Sequence, residues 1–175
     1  MAEPNRLISR LGRALGTAPS RRHLLPFAIE AAWLLPLLLF VGSAGGLVQW
    51  RPTFDVAILK LAGLAIIIPS LGEELLFRAA ILPAPTKNTP LPLASLLLSI
   101  ALFVAWHPIQ AFVFGPHWAR IVLNPWFLAA VVALGLASAR LYWKTGSLWP
   151  SVGLHWLTVV GWKALLAGPS PWGAG

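Results

Sequence analysis

Glu73 and Glu74 are adjacent carboxylates inside a run of residues apolar enough to lie in a membrane, and Arg78 follows four residues after the second. Ionisable groups at bilayer depth cost at least about 2.5–3.5 kcal/mol each, so they are rare there and mark sites. On a helix, residues four apart stack on one face and neighbours point about 100° apart. Glu74 and Arg78 are therefore expected to pair. Glu73, whose own neighbour one turn on is the apolar Phe77, is left available. An available carboxyl in such surroundings suits general acid or base work. The plain alternative is a buried ion cluster of Glu73, Glu74 and Arg78 that only joins helices.

Two histidines stand in later apolar segments. His107 follows Phe103 by one turn, so ring and imidazole share a face, and Pro108 next to it is expected to bend or end the helix. His155 lies in the last segment, after Gly146-Ser147-Leu148-Trp149-Pro150. A single membrane histidine more often joins helices by a hydrogen bond. Two of them together with an available Glu read as catalytic machinery. Glu73, His107 and His155 could instead ligate zinc and leave a position for water, although the His-Glu-x-x-His spacing is absent. His23 and His117 read as loop or interface residues without a role.

The elements that must position these groups are membrane spans. The chain has 175 residues, 58% of them hydrophobic and only 10% charged, where a soluble domain carries about 25% charge. Five apolar segments, roughly 24–48, 54–82, 91–114, 121–142 and 147–168, each approach or exceed the ~20 residues that cross a bilayer. The expected fold is an all-α, polytopic helix bundle of about five spans enclosing a polar cavity. The second span is expected to tilt or break near Pro69, and the first is interrupted by Glu30 and Pro36. A cleavable signal peptide is a weaker reading of the first segment, because only a short loop separates it from the next span.

Residues 1–23 form a basic leader before a single membrane domain, 24–175. Its Leu7, Ile8, Leu11 and Leu15 make one helical stripe and Arg6, Arg10 and Arg13 another, as in a helix lying on the membrane surface. A disordered basic tail is the equal alternative. The net charge of +8 is concentrated there, in Arg6, Arg10, Arg13, Arg21 and Arg22, which reads as attraction to anionic lipid rather than to nucleic acid. With Lys87 and the Arg140/Lys144 edge on the same side, the charge distribution predicts a cytoplasmic N-terminus. Trp50, Trp118, Trp126, Trp143 and Trp149 fall near span ends, as an aromatic belt would. There is no cysteine, which excludes disulfides and thiol catalysis. Counted from the inner span ends, Glu73 and His155 lie roughly nine residues deep and His107 roughly sixteen, a mismatch of about 10 Å.

Three motifs in this order, Glu73-Glu74-x-x-x-Arg78, Phe103-x-x-x-His107, and His155 in a final span containing Ser-Leu-Trp-Pro, resemble the CPBP family of CAAX-prenyl-protease-like and bacteriocin-processing intramembrane proteases. The resemblance covers about residues 54–165. It implies a membrane helix bundle with a polar cavity and glutamate-dependent hydrolysis. Glu73 would activate a water with help from His107, His155 would stabilise the developing oxyanion, and Glu74, Arg78 and Phe103 would support the site. The family's last motif usually carries Asn or Asp where this chain has Val159. Loss of one oxyanion donor costs about 10²–10³ in rate. Thr158, three residues after His155, is the expected substitute.

The function so implied is an intramembrane endopeptidase that cleaves a membrane-anchored protein or peptide, with C-terminal sorting or bacteriocin-type signals as candidate substrates. No cofactor is expected, zinc being the minority alternative. The expected partners are substrate and lipid, and the expected location is a bacterial inner membrane, multi-pass. The competing expectation is a non-catalytic membrane protein, either an immunity-type binding partner or a proton or ion pathway.

Overall fold

A chain that crosses lipid must satisfy its backbone N–H and C=O groups internally, so apolar runs of this length form helices. The computed structural model describes residues 5–85, 89–113, 115 and 117–169. Lys87 lies outside the described residues, as do the side chains of Arg6 and Trp118. In chain order the helices are α1 (Asn5–Gly16), α2 (Leu24–Ala44), α3 (Val56–Ala65), α4 (Gly72–Glu74), α5 (Leu93–Val113), α6 (Pro125–Thr145) and α7 (Trp149–Leu165). Among the described residues the only β pairing is an isolated bridge between Arg51 and Leu166. The protein is an all-α, multi-pass membrane bundle.

Among the described residues four stretches are long and apolar enough to cross a bilayer: Arg21–Ala44, Val56–Ala80, Leu93–Val113 and Pro125–Thr145. The expected fifth span corresponds to α7, which has 17 residues. At 1.5 Å per residue it reaches about 25 Å, the low end for a crossing.

The second crossing is broken, and the break positions the site. After α3 the chain makes wide π-type turns over Ile66–Leu71, where Ile68 is extended (φ −126°, ψ 113°) and is followed by Pro69. Proline lacks an N–H, and its ring obstructs a straight α-helix. One α turn, α4, carries Glu73 and Glu74, and a second wide stretch, Leu75–Ala80, carries Arg78. Wide turns of this kind recur at functional sites. Pro108 behaves differently from the expectation, since α5 continues through it to Val113. Ending the helix there would expose several backbone groups to lipid, whereas the proline removes a single N–H.

α6 is the central post, with α2, α5 and α7 all packed on it. Asn124 caps its start by accepting from the Trp126 N–H at 2.8 Å, and Pro125 occupies the first turn. Gly146, at φ 66°, ends it in the left-handed conformation glycine favours. Beside the larger Leu134, Leu141 and Tyr142, its buried face includes Ala133, Gly135, Ala137, Ser138 and Ala139. Such small residues let helices approach closely in lipid. Large apolar side chains such as Leu25, Phe40, Ile68 and Phe112 point outward instead, as a lipid-facing surface requires.

Contacts sort the bundle into two ends. At one, Trp143 Nε1 donates to the Thr89 carbonyl, and Leu148 and Trp149 donate to carbonyls of α1. At the other, Asn124 Nδ2 donates to Gly45, Trp162 Nε1 to Leu47, and the Gln49 and Arg51 N–H groups to Leu166 and Leu165. α1 is helical but does not simply lie on a surface. Its expected single apolar stripe divides: Leu11, Ala14 and Leu15 pack with Ala79, Leu82, Tyr142 and Leu148, while Leu7 and Ile8 stay exposed.

Candidate active site

Glu74 forms the ion pair that its spacing predicts. Its Oε2 lies 3.1 Å from Arg78 Nε, and both side chains are fully buried. Its other oxygen, Oε1, lies 2.9 Å from His155 Nδ1, joining the broken second crossing to α7. Arg78 Nη1 donates to Ser99 Oγ at 3.3 Å, and that hydroxyl donates to the Phe77 carbonyl at 2.7 Å. A buried pair survives only when its remaining polar atoms also find partners, and these bonds from α5 and α7 supply several of them.

Phe103 binds the assembly together. The Arg78 guanidinium carbon sits 4.5 Å from its ring centroid. The His107 and His155 rings meet its edge or face at 5.1 and 5.8 Å, and Phe77 packs on it at 5.4 Å. Edge-to-face rings and a cation over a ring are favourable geometries, strengthened by the absence of water.

Glu73 is placed differently from its neighbour. Its Oε1 accepts from Trp106 Nε1 at 3.2 Å and from Gln110 Nε2 at 3.1 Å. Its Oε2 is buried, accepts no hydrogen bond, and lies 3.9 Å from His155 Nε2. Glu73 is thus left available at one oxygen only, the other being held. Trp106 and Gln110 were missed in the sequence. Their spacing of one turn, with a glutamine inside an apolar span, was the available signal. Because both flank His107, they also remove the depth mismatch expected from residue counting: Glu73 and His107 share a level.

Glu73 opens onto a cavity of about 180 Å³ lined also by Ile67, Ile68, Pro69, Leu76, Trp106 and Gln110. Ile67, Ile68 and Leu76 are themselves exposed on the lipid-facing surface, so the cavity borders the hydrocarbon.

His107 Nδ1 lies 2.9 Å from the Phe103 carbonyl. A carbonyl only accepts, so this nitrogen carries the proton and Nε2 is left as an acceptor. By the same argument the Glu74 carboxylate draws the His155 proton to Nδ1. Thr158 does not direct its hydroxyl proton into the site, because it donates to the His155 carbonyl at 2.7 Å. The zinc alternative required Glu73, His107 and His155 to converge. Among the described residues no group of three or more His, Asp or Glu side chains that could hold a metal ion is found.

This arrangement agrees with a comparison of the sequence against known families. A family model described as type II CAAX prenyl endopeptidase Rce1-like matches residues 55–161, well over half the chain. The chain belongs to this family. No curated protein and no solved structure gives a match. The Rce1-like match begins at the N-cap of α3 and ends inside α7, so it holds Glu73, Glu74, Arg78, His107 and His155 and leaves out α1 and α2. Membership of the Rce1-like family also accounts for the CPBP resemblance of the three motifs.

Proposed function

We propose that the protein is an intramembrane endopeptidase in which Glu73 is the general base. The observation that carries this reading is the unbonded, buried Oε2 of Glu73, a residue that also lines a cavity bordering lipid. Oε2 removes a proton from a water as the water oxygen attacks the scissile carbonyl. The His107 Nε2 lone pair helps orient that water. As the carbon–nitrogen bond breaks, Glu73 returns the proton to the leaving amine and is regenerated. His155, held by Glu74 at Nδ1, turns Nε2 toward Glu73, where it contacts the developing oxyanion when protonated. Trp106 and Gln110 fix the Glu73 carboxylate so that its base oxygen is presented in one orientation.

The substrate in this reading is a membrane-anchored or lipidated chain, because the approach past Ile67, Ile68 and Leu76 is apolar. The chain would act in a bacterial inner membrane with its N-terminus in the cytoplasm. The end of the bundle that carries Arg10, Arg13, Arg140 and Lys144 would then face the cytoplasm, as the positive-inside rule asks.

The test compares protein termini by mass spectrometry in membranes carrying wild type, Glu73→Gln, or no copy. Termini found only with wild type are expected, and they would name the substrate. Identical termini in all three, with both proteins present at equal level, would sink the assignment.

A further inference from the structure

We propose that α1 is a clamp that sets the spacing of the two site-bearing segments, with Arg10 as its positioning residue. Its catalytic consequence rests on Glu73 acting as the general base.

The last carbonyls of a helix have no partner within it. At the end of the segment that carries Glu73, Glu74 and Arg78, one nitrogen of Arg10, Nη2, donates to the carbonyls of Ala79 at 3.2 Å and Ala80 at 3.1 Å, and also to that of Leu82. A guanidinium there also opposes the negative end of the helix dipole. The C-terminal turn of α1 then reaches the start of α7. The Leu148 N–H donates to the Ala14 carbonyl at 3.1 Å, Trp149 Nε1 to Leu15 at 2.9 Å, and Ser147 Oγ to Thr17 at 2.6 Å. His155 lies seven residues after Leu148, two turns further along the same helix.

A single short helix therefore ties the end of the glutamate segment to the beginning of the histidine helix. Between those ties lies the 3.9 Å approach of Glu73 Oε2 to His155 Nε2. A helix acting only as a lipid anchor would turn all its cations outward, as Arg13 does, yet Arg10 is partly buried against backbone. α1 lies outside the Rce1-like match. The family match alone therefore does not imply the clamp.

The experiment uses the full chain in lipid vesicles, with a lipid-anchored peptide identified by the termini comparison. Arg10→Ala is expected to lower kcat about tenfold or more, because small displacements of reacting groups are costly. KM should stay within about twofold. Arg10→Lys, which keeps the charge and a donor, should recover part of the loss. Trp149→Phe, which removes the bond to Leu15 and trims a ring packed beside Leu148, is the gentler variant and should move kcat in the same direction by less.

A second readout needs no activity. The chain has no cysteine, so labels introduced at Leu76 and Leu157 are unique. Pulsed dipolar spectroscopy should give a broader distance distribution in Arg10→Ala and in Trp149→Phe than in the otherwise unchanged protein. Unchanged distributions in both variants overturn the clamp, even if thermal stability falls. If wild type cleaves nothing, the protease reading fails, and the distance measurement still decides the clamp.

Discussion

Glu30 and Glu73 are both buried acids in apolar helices, and they are bonded in opposite ways. Glu30 is saturated. Its Oε1 takes Lys144 Nζ at 2.9 Å and Arg140 Nε at 3.1 Å, and its Oε2 takes Trp33 Nε1 at 2.8 Å and shares Arg140 Nε at 3.2 Å. Both of its cations remain about half in solvent, so that cluster sits at the rim of the bundle. Glu73 has donors on one oxygen only, its other oxygen lies 3.9 Å from a histidine nitrogen, and the residue lines a cavity. Burial and charge are common to the two sites. In the proposed mechanism, what separates the structural acid from the chemical one is an acceptor that the fold declines to satisfy.

That contrast can be broken most decisively by the matched pair Glu73→Gln and Glu30→Gln. The first should cut turnover by about 10³-fold with little change in thermal midpoint, as loss of a general base does. The second should leave turnover per folded molecule nearly unchanged; a large loss of kcat there would erase the distinction. Next in size is the pair Arg78→Leu and Arg140→Leu, read as stability in detergent micelles. Arg78→Leu strands the carboxylate of Glu74 in a fully buried place and should cost about 3 kcal/mol or more. Arg140→Leu leaves Glu30 with Lys144 and Trp33, and should cost about 1 kcal/mol.

Gln110→Leu sharpens the comparison from the other side, since it removes one of the two donors on Glu73 Oε1. Turnover should fall about tenfold while the fold persists, consistent with loosened positioning. The smallest effect belongs to Thr158→Val. Its hydroxyl serves the His155 carbonyl, so turnover within about twofold of wild type is expected; a loss of a hundredfold would instead restore Thr158 as an oxyanion donor.

Helix periodicity made the Glu74–Arg78 pair and the Phe103–His107 face legible, because both are one-turn relations within a segment. The break near Pro69 was legible for the same local reason. The link from Glu74 to His155 spans 81 positions and the one from Glu30 to Arg140 spans 110, and no spacing rule reports contacts that only tertiary packing makes. The docking of α1 was hidden by its composition. Arginine stems and a short leucine stripe serve a lipid surface or a protein groove equally well, and only the helix-end carbonyls after Arg78 decide between them. Depth counted in residues failed because the crossing is not a regular helix between Ile66 and Ala80.

The apolar rim of the cavity, made by Ile67, Ile68 and Leu76, also changes what concentration means for this protein. A substrate that arrives through hydrocarbon is counted per lipid, not per litre. Adding buffer to a suspension of vesicles leaves such an encounter rate untouched. Adding more bilayer to the same protein and the same substrate slows it, because both partners then search a larger sheet.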